Sequence, residues 1–264
     1  MTETGTHFAH STPELYDRYM GPLLFEPYAR VLAERAALLQ PDRILETAAG
    51  TGIVTRALHR AAPQAQIVAT DLNPVMLDVA AKNLCSPCVF FQPADAQELP
   101  FDDESFDLVV CQFGVMFYPD KVRAHQEARR VLRLNGHYLV VSFDRLELNP
   151  VPNAAGTAVA SLFPDDPPAY MERGPFSYTD PAIIERDLLA AGFTGIQLET
   201  VALTTRVCAR DAARGLVLGS PFRAEIERRD SSALDRALDA VTAALARWDG
   251  SDAPMSAHVA TATK

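Results

Sequence analysis

The sequence has few cysteines, no long apolar run and no excess of positive charge, and each shortage excludes a class of protein. Four cysteines in 264 residues are too few for the disulfide framework of small secreted domains. No apolar run approaches the length of about 20 residues that is needed to span a bilayer. The polar N-terminus, MTETGTHFAH, lacks the apolar core of a signal peptide. We therefore expect a soluble, cytoplasmic protein.

The charge balance argues against a nucleic-acid partner. The chain has 34 acidic residues against 24 lysines and arginines, a formal net charge of −10. Such a surface repels phosphate backbones. The short basic cluster of Arg129, Arg130 and Arg133 falls within a helical pattern, which is typical of a solvated helix face. We expect a small-molecule partner instead.

Two cysteines form a C-x-x-C pair, Cys85-Ser86-Pro87-Cys88. Such a pair is typical of a redox dithiol or of half a zinc site. The chain has no second pair and no histidine cluster at ligand spacing, and the pair falls in a turn where Ser and Pro are common. We therefore predict no metal site, and the redox role of the pair stays open.

Strand-like and helix-like patterns alternate from Arg43 to Leu203. Apolar and β-branched runs predict strands at 43–47, 66–71, 88–91, 105–113, 137–143 and 195–203, and a last strand at 258–264. Helices are predicted at 53–61, from Asn73 onward, from Asp120 to about Leu134 before Asn135-Gly136, and from Asp180 to Gly192. Alternation of this kind predicts an α/β fold of the Rossmann-like, doubly wound type with a mostly parallel sheet.

Three stretches lie outside this alternation. Residues 12–40 and 207–250 have helical patterns, whereas 148–178 is rich in proline and is predicted to be a loop with one short helix. Ligands of doubly wound sheets bind beyond the carboxyl ends of the strands. Glu46 and Asp71 each fall at the end of a predicted strand, so both should face that site.

The stretch LETAAGTG, from Leu45 to Gly52, forms a strand-to-helix turn with two glycines. Glycine lets backbone approach a ligand closely, and the N-terminus of the next helix favours an anionic group. Two ligands fit. A dinucleotide would need a third glycine where Thr55 stands. S-adenosylmethionine would bring an ammonium group to Glu46.

Two further acids extend this site. Asp71 ends the second strand and is suited to bind both ribose hydroxyls in either cofactor class. Asp95 ends the third strand, where its carboxylate can accept from an adenine amino group. The alternative for each is a local turn or cap role.

The motifs ILETAAGTG, IVATDLNPVML, PADAQELPFDDESFDLVVCQFGVMFYPD and EARRVLRLNGHYLVVSF together resemble the class I S-adenosylmethionine-dependent methyltransferases. The group includes the ubiquinone and menaquinone biosynthesis methyltransferases. The resemblance covers residues 40–145, and the terminal HVATATK fits the reversed last strand of the family. It implies a seven-stranded sheet with an antiparallel last strand, and S-adenosyl-L-methionine as the cofactor. The implied organisation is an N-terminal helical cap segment (1–40) and a methyltransferase domain (41–264) with helical lid insertions at 148–178 and 207–250.

The resemblance also implies a cofactor site. The residues that would line the methionine end of the cofactor are Glu46, Ala48, Gly50 and Gly52, and Cys111 and Gln112 would face its amino-acid part. Asp71 would hold the ribose, and Leu72 and Met76 would pack near the adenine. Asp95 would bind the adenine amine with Ala96 and Gln97 flanking the adenine, and Tyr16 and Tyr19 would lie on a segment folded over the cofactor. Ala48 departs from the family, which usually has its first glycine there.

Aromatic and apolar side chains supply a candidate acceptor pocket, with core packing as the alternative. The candidates are Phe113, Phe117, Tyr118, Phe163, Tyr170, Met171, Phe176 and Phe222. His10 and His125 are the histidines considered as a base, and neither is assigned a catalytic role.

We therefore predict an enzyme that moves a methyl group from S-adenosylmethionine to a small-molecule acceptor by in-line displacement. An NAD(P)-dependent oxidoreductase is disfavoured because the third loop glycine and a Tyr-x-x-x-Lys pair are missing. The other alternative is a non-catalytic protein of the same fold that binds the cofactor and regulates. The acceptor, the atom that is methylated and the oligomeric state are left open.

Overall fold

The computed structural model describes residues 12–264, and its strands form one seven-stranded sheet. The strands are β1 (Arg43–Thr47), β2 (Gln66–Asp71), β3 (Val89–Pro93), β4 (Phe106–Gln112), β5 (Leu132–Phe143), β6 (Thr194–Arg206) and β7 (Asp252–Thr263). Their order is β3-β2-β1-β4-β5-β7-β6. Strands β1 to β5 pair in parallel, and β7 runs antiparallel to β5. The predicted Rossmann-like sheet with a reversed last strand is confirmed.

Helices connect these strands. They are α1 (Pro13–Leu15), a π-helix (Tyr16–Phe25), α2 (Glu26–Leu38), α3 (Ile53–Ala61), α4 (Pro74–Asn83), α5 (Lys121–Val131), α6 (Pro150–Ala160), α7 (Tyr170–Arg173), α8 (Pro181–Ala190), α9 (Ala209–Leu218), α10 (Phe222–Arg229) and α11 (Leu234–Leu245). Among residues 12–264, no helix has the length and hydropathy needed to cross a bilayer.

Three helices begin at the caps that the sequence predicts. Asn73 Oδ1 accepts a hydrogen bond from Val75 N at 3.0 Å. Asp120 and Asp180 accept from backbone N–H groups of their own first turns, at 2.9 Å in both cases. Each cap satisfies one of the N–H groups that a helix start leaves without a partner.

Helix α5 is shorter than predicted. It ends at Val131 rather than near Leu134, because the buried Leu132 already pairs with Phe106 of β4. The pairing then skips to His137 opposite Leu108. Asn135, expected to stop the helix, instead has a left-handed φ of 63° inside this irregular part of β5.

The proline-rich stretch is more helical than predicted. The short helix predicted within 148–178 is α6, which runs from Pro150 to Ala160, and a second, single-turn helix follows as α7 at Tyr170–Arg173. Pro150 occupies the first helical position and Pro152 lies in the same turn. Proline is tolerated there because the first-turn N–H groups have no partner within the helix.

The chain divides into two compact units. The first, which we call the sheet unit, consists of Tyr28–Phe143, Tyr178–Val201 and Ala257–Lys264. The second, the helical unit, consists of the described residues up to Pro27, together with Asp144–Ser177 and Ala202–Ser256. The division into a cap segment (1–40) and a domain (41–264) stays a prediction.

Each unit has its own apolar interior. In the sheet unit, β4 is buried over Leu108–Cys111, as expected of a parallel strand covered on both faces. In the helical unit, α9 contacts the π-helix and α11, and α11 also contacts α6. The predicted apolar face of α11 turns inward there, with Val241 and Leu245 buried and Leu234 and Leu238 half-buried.

Candidate functional site

The glycine-rich turn connects β1 to α3 in the sheet unit. Three of its residues have left-handed backbone: Ala48 with φ 53°, Gly50 with φ 56° and Gly52 with φ 78°. A Cβ on Gly52 would lie 2.9 Å from Ala80 Cβ, so glycine is required there for packing against α4 as well as for conformation. The turn presents bare backbone at the carboxyl end of β1, as the motif predicts.

Glu46 lies in β1, two residues before Ala48 of this turn, and is only 2% exposed. Its Oε2 accepts a hydrogen bond of 2.6 Å from Thr55 Oγ1, and its backbone carbonyl accepts from Thr70 Oγ1 at 3.0 Å. Burial raises the pKa of the Glu46 carboxyl to about 8. At neutral pH the carboxyl is therefore mostly protonated. A cationic group placed beside it would lower its pKa and favour the ionised form.

Asp71 is tied directly to the turn. Its Oδ2 accepts from Gly50 N at 2.8 Å, and its Oδ1 accepts from Asn73 N at 2.8 Å. Burial raises the pKa of this carboxyl, while the backbone donors oppose the rise. Each carboxylate oxygen keeps a further lone pair, so both can still accept from a ligand hydroxyl.

Asp95 is held in place by Gln97. Asp95 Oδ1 accepts from Gln97 N at 2.8 Å and from its side-chain Nε2 at 3.2 Å. Gln97 Oε1 in turn accepts from Asp120 N at 2.9 Å, at the start of α5. Gln97 was expected only to flank the adenine, but in the structure it orients the Asp95 carboxylate. Ala96, between the two in sequence, is half-buried.

An apolar surface lies beside Asp71. Leu72 is 49% exposed and Val75 is 54% exposed, whereas Met76 is buried. A Cβ on Gly50 would lie 3.6 Å from Met76 Cε, which brings that side chain to the turn. Val75 was missed by the sequence reasoning, although its place in the first turn of α4, two residues after Asn73, would have pointed to it.

The segment after β4 contacts the last residue of β1 through a tyrosine. Tyr118 Oη donates to Thr47 Oγ1 at 3.2 Å and lies 3.3 Å from Cys111 Sγ. Burial raises the pKa of the Cys111 thiol and of the Tyr118 phenol, so both keep their protons. Gln112, the last residue of β4, is half-buried and pairs with Val141.

Gly114 follows β4 and packs against the same turn. A Cβ at this position would lie 2.4 Å from Ala48 Cβ and 3.2 Å from Cys111 Sγ. Sequence reasoning missed Gly114, Thr47 and Thr55. Thr55 was noted only as a missing glycine, whereas the structure makes it the hydrogen-bond donor to Glu46.

The candidate pocket residues fall into both units. In the sheet unit, Phe113 is buried, stacks on Phe143 with ring centroids 3.8 Å apart and meets Tyr28 edge-on at 5.4 Å. Phe117 and Tyr118 are half-buried. In the helical unit, Tyr170 stacks on Phe222 at 5.9 Å, while the remaining candidates are buried or half-buried: Phe163, Met171 and Phe176. Their role in lining a pocket stays a prediction.

The two N-terminal tyrosines also lie in the helical unit. Tyr16 stacks on Phe25 with ring centroids 5.0 Å apart. The Arg18 guanidinium lies over the ring of Tyr19 at 5.2 Å. Both belong to the π-helix, and their contact with a cofactor stays a prediction.

His125 has the character of a core residue. It is 0% exposed on α5, meets the Tyr138 ring edge-on at 5.6 Å, and neither ring nitrogen has a hydrogen-bond partner. Burial lowers the pKa of its imidazole to about 4. His10, the other histidine considered as a base, lies outside the described residues.

The cysteines form no metal centre in the part of the chain that the structure describes. Residues 12–264 contain no group of three or more His, Cys, Asp or Glu residues placed to hold a metal ion. Cys85 is exposed and Cys88 is half-exposed, and both are free thiols.

Known proteins resemble this chain most clearly over the part that carries the turn and the three acids. Residues 45–140 match the model of a family described as a methyltransferase domain. The demethylmenaquinone methyltransferase of Deinococcus radiodurans is 35% identical over 143 residues, which cover 52% of this chain and 58% of that protein. The ubiquinone/menaquinone biosynthesis C-methyltransferase of Bartonella henselae is 34% identical over 149 residues, covering 53% and 57%. The chain thus spans less than three fifths of the length of these relatives.

Solved structures resemble it over nearly the whole chain. The YcgJ protein of Bacillus subtilis has a TM-score of 0.59 at 20% identity, covering 90% of this chain and 98% of that one. Phosphoethanolamine N-methyltransferase 2 of Haemonchus contortus, solved with S-adenosyl-L-methionine, has a TM-score of 0.64 at 17% identity, covering 100% and 60%. At such identities the likeness shows the fold. The family match confirms the predicted methyltransferase domain over residues 45–140.

Proposed function

We propose that this chain, built around a class I methyltransferase domain, transfers a methyl group from S-adenosylmethionine to a small-molecule acceptor by in-line displacement. One observation carries the proposal. Glu46 and Asp71 lie at the carboxyl ends of the adjacent parallel strands β1 and β2, Asp95 follows the neighbouring strand β3 by two residues, and Asp71 accepts a hydrogen bond from the turn at Gly50 N. This is the crevice in which doubly wound sheets bind ligands.

The buried Glu46 carboxyl suits a cationic ligand group. Its raised pKa reflects burial without a neutralising cation that outweighs the desolvation. The ammonium of the methionine moiety would supply that charge. The Gly50 and Gly52 backbone leaves room for the rest of the moiety, because neither residue carries a Cβ.

Asp71 and Asp95 would bind the nucleoside. The Asp71 oxygens already accept from backbone N–H groups, which fix the carboxylate in one orientation toward the ribose hydroxyls. Gln97 fixes Asp95 in the same way for the adenine amine. The exposed apolar surface of Leu72 and Val75 would pack against the base.

The bound cofactor supplies an activated methyl group on a sulfonium. The protein must hold the acceptor in line with the S–CH3 bond, and positioning of this kind contributes about 7–11 kcal/mol in favourable systems. We assign no catalytic base, since the neutral, buried His125 offers no lone pair to a pocket. An acceptor that arrives ionised needs none.

We further propose that the acceptor is small and partly apolar. Phe113, Phe117 and Tyr118 follow directly on β4, at the same sheet edge as the three acids. One relative is named a demethylmenaquinone methyltransferase and the other a ubiquinone/menaquinone biosynthesis C-methyltransferase, so a quinone-type ring is the first acceptor to test. The absence of a nucleic-acid partner and a cytoplasmic location stay predictions.

Transfer of a labelled methyl group tests the proposal. The full chain would be incubated with methyl-labelled S-adenosylmethionine and a panel of quinone, phenol, amine and thiol acceptors. The proposal expects label in at least one acceptor, and expects Gly50→Val, which blocks the turn, to abolish it. Tight cofactor binding without transfer to any acceptor would favour the non-catalytic regulatory alternative.

A further inference from the structure

We propose that Tyr118 is a positioning residue that holds the cofactor-binding turn in shape through its hydrogen bond to Thr47. The inference rests on the proposed function, because it assigns a task within the same site. Nothing in the sequence pattern assigned Tyr118 to the cofactor. The structure brings it there from the segment that follows β4.

The turn needs holding because its backbone is strained. Ala48 has a φ of 53°, a left-handed conformation that disfavours any residue with a Cβ. Conformations of this kind persist where the surroundings over-determine them, and they cluster at ligand sites. The contacts around Ala48 therefore decide whether the turn keeps the shape that a ligand would meet.

Those contacts come from both neighbours of β1. On one side lies β2, where Thr70 Oγ1 donates to the Glu46 carbonyl at 3.0 Å and the Thr70 carbonyl accepts from Ala49 N at 2.9 Å. On the other side lies β4, and the segment after it supplies Tyr118, whose Oη donates to Thr47 Oγ1 at 3.2 Å. Thr47 directly precedes the strained residue.

Tyr118 is itself well fixed. Its carbonyl accepts from Lys121 Nζ at 3.0 Å, and its hydroxyl lies 3.3 Å from Cys111 Sγ. Because burial raises the pKa of the phenol well above its usual range, the group stays protonated and remains a donor. Gly114 allows the close fit, since a Cβ there would lie 3.4 Å from the Tyr118 hydroxyl and 2.4 Å from Ala48 Cβ.

The expected consequence is an effect on cofactor affinity. Tyr118 would raise cofactor affinity by keeping the turn in its binding-competent shape, and a partly competent population lowers apparent affinity in proportion. Along the chain, Tyr118 lies between Phe113, a candidate acceptor-pocket residue, and the start of α5.

Calorimetric titration with S-adenosylhomocysteine tests this with Tyr118→Phe, Thr47→Val and the double variant. Each single variant should weaken binding about 3- to 10-fold, the effect of one neutral hydrogen bond. The double variant should be no weaker than either single one, because both remove the same bond. Thr47→Ser keeps the hydroxyl and should bind like the unaltered chain.

Tyr178→Phe is the matched control. It also removes a buried phenol hydrogen bond, from Tyr178 Oη to Asp187 Oδ2 at 3.0 Å, but on α8 rather than at the turn. It should lower thermal stability and leave affinity unchanged. In steady-state assays, Tyr118→Phe should raise KM for the cofactor, whereas Thr47→Ser should leave that KM unchanged.

The inference is overturned if Tyr118→Phe binds as tightly as the unaltered chain, or if its loss and that of Thr47→Val add in the double variant. An equal loss of affinity in Tyr178→Phe would also overturn it, since the effect would then be general destabilisation. Failure of the unaltered chain to bind S-adenosylhomocysteine would instead refute the proposed function.

Discussion

Two buried acids, one in each unit, illustrate how burial serves different ends. Asp144 in the helical unit is 6% exposed, and its carboxylate accepts from Arg145 N at 2.7 Å and from Ser256 Oγ at 2.8 Å. Asn149 completes the network by bonding the Asp144 and Ser256 backbones. Glu46 in the sheet unit is buried more deeply, and this burial raises the pKa of its carboxyl to about 8.

The difference separates a structural acid from a binding acid. Asp144 and Asn149 anchor the start of α6 to the strand that carries Ser256, where satisfied polar groups specify one arrangement. Glu46 lies beside bare backbone at a strand end, where desolvation outweighs the charge of Arg56 that favours its ionised form. A strongly shifted carboxyl in such a crevice indicates a functional site.

The largest effect is expected on the free energy of unfolding, when one glycine from each unit is replaced by alanine. Gly114→Ala in the sheet unit should destabilise the protein by about 3 kcal/mol, because the new methyl would lie 2.4 Å from Ala48 Cβ. Gly156→Ala on α6 should stay within about 1 kcal/mol, since its Cβ would meet only the flexible Met171 side chain, at 3.2 Å, and alanine favours helix.

Chemical denaturation measures both changes. Adding Ala48→Gly should recover most of the Gly114→Ala loss, because it removes the clashing methyl and relieves the left-handed φ. Equal effects at Gly114 and Gly156, or no recovery in the double variant, would contradict the packing described for the turn.

The second prediction exchanges the two acids for their amides. Glu46→Gln should weaken S-adenosylmethionine binding about 10- to 100-fold, since a charge-assisted hydrogen bond is lost, with little change in stability. Asp144→Asn should do the reverse, costing about 1–3 kcal/mol of stability and leaving affinity within about twofold. Calorimetry and thermal unfolding on each variant provide both readouts. If Asp144→Asn weakened binding as much as Glu46→Gln, the distinction between the two acids would fail.

The third prediction concerns pH. The pKa of Glu46 is raised from 4.5 to about 8 in the free protein, and a bound ammonium would lower it, so binding releases a proton. Affinity should therefore rise with pH between about 6 and 8, by at most about tenfold per unit. The folded state holds this proton where the unfolded state does not, so the Glu46 contribution to the free energy of unfolding falls as the pH rises from 4.5 to about 8.

Titrations at several pH values, in buffers of different ionisation enthalpy, measure the protons released. Glu46→Gln supplies the control, since an amide does not titrate and its affinity should be nearly independent of pH. A flat profile in the unaltered chain would mean that Glu46 is already ionised or does not meet the ammonium.

Residues read along one strand and its cap were predictable, and contacts through space were not. Glu46, Asp71 and Asp95 end apolar runs, and the parallel βαβ pattern alone brings such ends together. The caps at Asn73, Asp120 and Asp180 follow from local chemistry. In contrast, Tyr118, Gly114 and Thr55 act on partners 71, 66 and 9 positions away along the chain, and no periodicity encodes such pairs.

One local prediction failed because tertiary pairing outweighed propensity. Sheet pairing of Leu132 ends α5 earlier than Asn135-Gly136 suggests. The prolines at 150 and 152 occupy the first turn of α6, where proline costs little, so the proline-rich stretch 148–178 still forms a helix. Composition records that proline is present, whereas its position within a turn decides its effect.

The most direct test of the account is the titration of the full chain with S-adenosylhomocysteine beside its Asp71→Ala variant. The account predicts saturable one-to-one binding to the unaltered chain. It also predicts a loss of about tenfold or more in the variant, because Asp71 would bind the ribose and also accepts from Gly50 N at 2.8 Å. Equal affinity in both proteins, or no binding to either, would contradict the claim that this crevice holds the cofactor.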